Sequence, residues 1–281
     1  MKTTTEEKPL ENLENEIVEY IINTPHNANP NVVRSMVRAA ADGVSGTGTD
    51  VETMWIAAIE RNDTPITKLP KGTTSIGDYA FQSCKNLALT SLPEGITSIG
   101  SSAFSNCTNL ALTSLPEGIT IINQYAFHRC KNLALTSLPE GVTSIGDYAF
   151  MSCTNLALTS LPEGITKINR YAFQDCKNLA LTSLPEGVTS IGQNAFSGCT
   201  NLALTSLPEG ITSIGSGVFG YITGLTELTF RGTPPSGSIN NKAFNYCTNL
   251  KIINVPWAEG EVYGAPWGAT NATINYNYIG G

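Results

Sequence analysis

Residues 110–132, LALTSLPEGITIINQYAFHRCKN, and residues 133–155, LALTSLPEGVTSIGDYAFMSCTN, are almost the same string. The offset between them is 23 residues, and it extends in both directions. Phe recurs at 81, 104, 127, 150, 173, 196 and 219, and again at 244 after a two-residue insertion in RGTPPSGS, residues 231–238. A period between 20 and 50 residues is the mark of a solenoid, in which each repeat forms one coil and stacks on the next. Eight coils are legible. No coil can bury its apolar side alone, so the core is shared along the stack.

Within one coil the apolar residues are Leu110, Leu112, Leu115, Ile119, Ile122, Ala126, Phe127 and Cys130. Their spacing changes from strand-like to helix-like along the coil. Leu-Pro recurs at 69, 92, 115, 138, 161, 184 and 207, with Gly two residues beyond each Pro, which fits a turn leaving a short strand. In QYAFHRC, Ala126 and Cys130 are four apart and share one face of a helical turn, while Gln124 with His128 and Tyr125 with Arg129 face outward. Gly77, Gly100, Asn123, Gly146, Asn169, Gly192 or Gly215 precedes this turn, and these residue types predict a positive-φ corner there. The predicted fold is an α/β repeat solenoid, with a parallel β-sheet on one side and short helical turns on the other.

The pattern L-x-x-L-x-L-P followed by I-T-S-I-G-x-x-A-F-x-x-C resembles the BspA-type (Treponema pallidum class) leucine-rich repeat over about three quarters of the chain. The resemblance implies a right-handed solenoid with its sheet on the concave side, and membership among surface or secreted adhesins and ligand binders. One feature departs from that pattern. Leu225, Leu228 and Phe230, and Leu250, Ile253 and Val255, keep the usual spacing, whereas the inner coils read LALTSLP. There Leu89, Leu112, Leu135, Leu158, Leu181 and Leu204 sit one place early, opposing two arrangements: a bulge that turns Leu inward, or Thr facing the core. Burying a Leu is worth roughly 1.5 to 3 kcal/mol, which favours the bulge.

Composition removes several classes of function. The chain has 281 residues, 16 Lys and Arg against 23 Asp and Glu, and a net charge of −7. Residues 1–65 hold five basic and eleven acidic side chains, and the rest is nearly neutral. With no basic patch to neutralise phosphates, nucleic acid is not an expected partner. No run approaches the 18 apolar residues of a membrane span, and the start carries no signal-peptide core, so neither membrane insertion nor Sec export is expected. Cys84, Cys107, Cys130, Cys153, Cys176 and Cys199 stand 23 apart, with Ile222 in the next equivalent place and Cys247 after the insertion. A position that accepts Ile is an apolar core position, so buried thiols are expected rather than disulfides or a metal site. The Asn row (Asn86, Asn109, Asn132, Asn155, Asn178, Asn201 and Asn249) is expected to satisfy backbone groups at a corner, and the Glu row from Glu94 to Glu209 to be solvated. His26 and His128 lie in no nucleophile or metal motif, and no phosphate loop is present, so neither catalysis nor a cofactor is expected.

The chain divides into residues 1–48, a helical attachment region with a flexible linker; 49–65, a capping helix with Met54, Trp55, Ala58 and Ile59 against the first coil; 66–256, the solenoid; and 257–281, a C-terminal cap in which Trp257, Tyr263 and Trp267 seal the stack. The two ends, INTPHNANPNVVRSMV and NVPWAEGEVYGAPWGATNATINYNY, resemble those of leucine-rich-repeat proteins encoded by phages and prophages of gut Firmicutes. That resemblance implies a particle that carries the protein outside the cell. The expected function is a non-catalytic binding solenoid on a phage virion, touching a host cell-surface protein or glycan, with residues 1–48 held by other virion proteins. A bacterial surface adhesin and an architectural decoration are the alternatives, and a homo-oligomer is compatible with each. Tyr125, His128, Arg129, Tyr148, Met151, Arg170 and Tyr171, on three consecutive coils, form the richest outward cluster of aromatic and cationic groups. Tyr and Arg dominate binding hot spots, so these seven are the candidate binding residues.

Overall fold

A computed structural model describes residues 67, 69, 74–85 and 87–279. The attachment region 1–48 and the capping helix 49–65 lie outside the described residues. The described chain winds as a solenoid of parallel strands. Phe81, Phe104, Phe127, Phe150, Phe173, Phe196, Phe219 and Phe244 form one buried column, none of them more than 1% exposed. Their rings stack with centroids 5.1–6.2 Å apart and planes within 15°. That offset stacking suits the ring quadrupole and repeats with the coil spacing.

The strand that recurs in the inner coils lies on the T-S-I segment. It gives β1 (Ser75–Ile76), β2 (Ser98–Ile99), β3 (Ile121–Ile122), β4 (Ser144–Ile145), β5 (Lys167–Ile168), β6 (Ser190–Ile191) and β8 (Ser213–Ile214). On the L-x-L segment the ladder is regular only late in the chain, in β7 (Ser206–Leu207), β9 (Glu227–Phe230), β10 (Ile252–Asn254) and β11 (Thr273–Asn275). These four form one parallel sheet in the order β11-β10-β9-β7. The difference follows the spacing. In the inner coils Leu110, Leu112 and Leu115 point inward while Thr113 and Ser114 both face solvent, so alternation fails and only one or two amide bonds per coil remain, such as Ala134 to Leu112 (3.0 Å). Leu89, Leu112, Leu135, Leu158, Leu181 and Leu204 are all buried, as the energetics of the bulge require.

The T-S-I ladder is interrupted into β1-β2, β3-β4 and β5-β6-β8. The breaks fall at the two coils that carry Asn where the others carry Gly. Gly100, Gly146, Gly192 and Gly215 donate their amides to Ile76, Ile122, Ile168 and Ile191 at 2.7–2.8 Å. At the breaks, the side-chain amides of Asn123 and Asn169 donate to Ile99 and Ile145 instead, both at 2.7 Å. The carbonyl is satisfied either way, but only the Gly version continues the ladder.

The helical turns expected opposite the strands are absent: among the described residues there is no helix. The reason lies in the amides of YAFHRC. Tyr125, Phe127 and Arg129 donate to Asp147, Ala149 and Met151 in the next coil at 2.7–3.0 Å. Only Ala126, His128 and Cys130 bond back along their own coil, to Asn123, Tyr125 and Phe127. Aiming every second amide along the solenoid requires φ of 56° at Tyr125 and 59° at Arg129, and two left-handed residues four apart prevent a helix. The segment is a chain of turns that doubles as an inter-coil ladder. Positive φ was expected two residues earlier, at the Gly/Asn position, and does not occur there. Gly146 is needed for closeness, since a Cβ on it would stand 2.6 Å from the Gln124 amide nitrogen.

The cysteines do more than fill volume. Cys107, Cys130, Cys153, Cys176 and Cys199 are fully buried, and each thiol donates to the carbonyl of the Phe one coil earlier, at 2.8–3.0 Å. Cys247 does the same to Phe219. That carbonyl also accepts an amide within its own turn, so the thiol engages its second lone pair. Burial pushes all these thiols upward, Cys84 and Cys247 to about 11. Cys107, Cys130, Cys153, Cys176 and Cys199 go further, beyond the ordinary titration range. At the C-terminal end Trp257 and Trp267 are buried, with the Trp267 indole donating to Tyr263 at 3.1 Å. Tyr263 itself is 96% exposed and seals nothing.

Candidate functional site

The turn wall presents its side chains in columns, one residue per coil. Two places before each of the first seven Phe stand Tyr79, Ser102, Tyr125, Tyr148, Tyr171, Asn194 and Gly217, all at positive φ. Because each of these amides is tied to the next coil, the side chains leave the backbone at one angle and repeat at the coil spacing. Tyr125 and Tyr148 therefore stack at 4.6 Å with planes 9° apart, and Tyr148 and Tyr171 at 4.6 Å and 7°. The three rings form a half-buried ladder on the outside of the solenoid. Tyr148 has both faces covered by its neighbours, while Tyr125 and Tyr171 end the ladder.

Charge flanks the ladder. Arg170 Nε donates to Asp147 Oδ2 at 2.8 Å, a bond that raises the guanidinium further and holds it within electrostatic reach of Tyr148 and Tyr125. His128 meets Tyr125 edge-on, with centroids 5.5 Å apart and planes at 81°, and its Nδ1 lies 3.3 Å from Ser105 Oγ. Burial, and then the neighbouring Arg129 charge, lower the His128 value, so the ring is neutral at pH 7. The Tyr148 phenol is pushed upward by desolvation and then by Tyr125 and Tyr171 on either side, and it stays a hydrogen-bond donor.

Of the seven residues singled out from sequence, the structure brings Tyr125, Tyr148, Tyr171 and His128 into one run of ring contacts, with Arg170 interacting electrostatically with Tyr148 and Tyr125. Arg129 flanks it, exposed, in the column two places after Phe, and Met151 is half-buried in the His128 column one coil on. Three features went unread in the sequence. Asp147 is the partner that orients Arg170. Gln174, next in the column after Met151, buries its Oε1 without a hydrogen-bond partner. Tyr221 and Tyr246 make a second exposed stack at 4.6 Å in the Arg129 column. The recurrence of Tyr at Phe+2 in the last two coils was the signal for that pair. Among the described residues no group of three or more His, Cys, Asp or Glu is placed to hold a metal ion, and no helix is long and apolar enough to cross a membrane.

Solved structures similar to this chain include three leucine-rich repeat proteins. One is a leucine-rich repeat protein of T. pallidum, at 32% identity, covering 52% of this chain and 71% of that one with a TM-score of 0.43. Another, from Bacteroides ovatus, shows 23% identity over 75% of this chain and 69% of its own, with a TM-score of 0.40. The third is a leucine-rich cell surface protein of Faecalibacterium prausnitzii, at 26% identity over 68% and 73% of the two chains, with a TM-score of 0.36. No curated protein matches the sequence significantly. The BspA type leucine rich repeat region matches residues 63–180 and 166–260, with six copies of the repeat. That match takes in well over half of the chain, and with the coil period, the Leu-Pro turns and the Phe and Cys columns it places this protein in the BspA-type leucine-rich repeat family.

Proposed function

We propose that this protein is a non-catalytic binding solenoid and that the face built from Tyr125, Tyr148 and Tyr171, with Arg129, Arg170, His128 and Met151, engages its partner. One observation carries this reading. Bulky residues at positive φ cost roughly 1 to 2 kcal/mol relative to Gly, and this chain carries three consecutive tyrosines there, at 56°, 59° and 58°. Asn194 and Gly217, at 51° and 64° in the same column, are the residues that backbone preference alone would select. Summed over the three residues that cost is roughly 3 to 6 kcal/mol, and their two stacked pairs offset about 1 to 3 kcal/mol of it, so drift toward stability would remove the tyrosines. A ladder that offers ring edges, hydroxyls and a fixed guanidinium suits a protein surface or a glycan.

Residues 1–48 supply the other half of the reading. They tether the solenoid to a carrier, and the resemblance of the termini makes a phage particle the proposed carrier and a host cell the target. The test is an array of bacterial cell-wall glycans together with intact gut Firmicutes cells, probed with the full chain and with its Tyr148→Gly and Arg170→Ala forms. Retention of the wild type and loss of both variants is the expected result. Equal retention of all three removes the assignment to this face.

A further inference from the structure

The T-S-I strip carries a feature that the tyrosine face does not use. A shallow groove of about 290 Å³ runs across coils five to eight, lined by Lys167, Ser190, Gly192, Ser213, Gly215, Ser238 and Asn240. We propose that this groove binds an acidic sugar, a uronic-acid-type pyranoside within a glycan chain, with its carboxylate at Lys167 and its hydroxyls along the serines.

The argument starts from what stands in each column. The residue before the buried Ile is Ser75, Ser98, Ile121, Ser144, Lys167, Ser190, Ser213 and Ser238. Lys167 is its one cation. It is solvent-exposed and has no carboxylate within ion-pair distance among the described residues. From it Ser190, Ser213 and Ser238 extend, one hydroxyl per coil, at a spacing near the length of a pyranose ring. Gly192 and Gly215 put no side chain over the floor, and Asn240 ends the groove with an amide. The volume is near the lower bound for small-molecule sites and matches a single sugar unit.

The same groove is poorly suited to phosphate. Phosphate sites converge several amides on one point. Here the Gly192, Gly215 and Ile214 amides are already bonded, to Ile168, Ile191 and Ser238 at 2.7–3.0 Å. One cation at an end, with hydroxyls spread over three coils, calls for an elongated ligand with one charge and several hydroxyls.

Two substitutions keep the fold, because each installs a residue that this column already holds: Lys167→Ser and Ser213→Ile, the latter matching Ile121. The experiment is calorimetric titration of the full chain with an oligoglucuronate and with a neutral gluco-oligosaccharide of equal length. The uronate chain should bind up to about fivefold more tightly, the range of one exposed ion pair. Lys167→Ser should erase that preference, and Ser213→Ile should weaken both ligands. Tyr148→Gly should change neither, which separates this site from the tyrosine face. Absence of uronate binding, or a preference that survives Lys167→Ser, overturns the proposal.

Discussion

Replacing Tyr148 by Gly and by Ala separates what its backbone costs from what its ring contributes. The ring stacks on Tyr125 and Tyr171, each at 4.6 Å. Each stacked pair is worth about 0.5 to 1.5 kcal/mol, so removing the ring forfeits roughly 1 to 3 kcal/mol. Tyr148→Ala keeps the left-handed conformation at φ 59° and pays that loss in full. Tyr148→Gly loses the same contacts but relieves the backbone, and after the larger unfolded-state entropy of Gly it should be about 1 kcal/mol more stable than the Ala form. Urea unfolding at constant m-value measures the difference as a shift in midpoint. If the Gly form is the less stable of the two, Tyr148 is not held in a strained conformation and the argument that it is kept for binding fails. If both match wild type, the ladder adds nothing to stability.

Other outcomes follow from the core. Phe150→Ala opens the middle of the ring column and should cost about 3 to 5 kcal/mol by chemical denaturation, and a loss under 1 kcal/mol would contradict its burial. Asn123→Ala leaves the Ile99 carbonyl without its donor, at a cost of roughly 1 to 3 kcal/mol, whereas Asn123→Gly lets the backbone amide take over and should cost less. Equal losses would show that the side-chain bond is not what holds the break. The thiol column sets an alkaline limit. Five thiols with folded values far above the unfolded 9.0 stay protonated in the native state. Their contribution is intact below about pH 9 and is lost above it, as the unfolded chain releases the protons, by up to about 7 kcal/mol per pH unit. Urea midpoints at pH 8 and pH 10 check this, and a flat profile would place the thiols in solvent.

The extent to which the sequence could be read depended on how local the physics was. The Phe and Cys columns and the inward Leu112 were legible because period and burial energy alone decide them. The turn wall was not. Spacing of Ala126, Phe127 and Cys130 puts the right residues inside for either a helix or a string of turns, and what excludes the helix is a bond from Tyr125 to the next coil. Positive φ was sought at Gly and Asn, following general preference, and lies at Tyr and Arg, where inter-coil bonding overrides that preference. Gly146 and Asn123 looked equivalent in sequence and differ in which group reaches the Ile carbonyl, so the interruptions of the sheet were hidden. The tyrosine cluster was visible because like residues recur at one repeat position. The groove beside Lys167 was invisible, since it arises from side chains that Gly192 and Gly215 lack.

The most direct test of the account is to locate the contact itself. The protein, labelled with carbon-13 at its tyrosine rings and assigned through single Tyr→Phe forms, is titrated by NMR with whichever array glycan or surface protein it retains. Shifts concentrated at Tyr125, Tyr148 and Tyr171, with Tyr221, Tyr246 and Tyr263 unmoved, are the predicted result. Shifts at the second stack or at Tyr263, with the ladder silent, would place binding elsewhere on the solenoid and contradict the account.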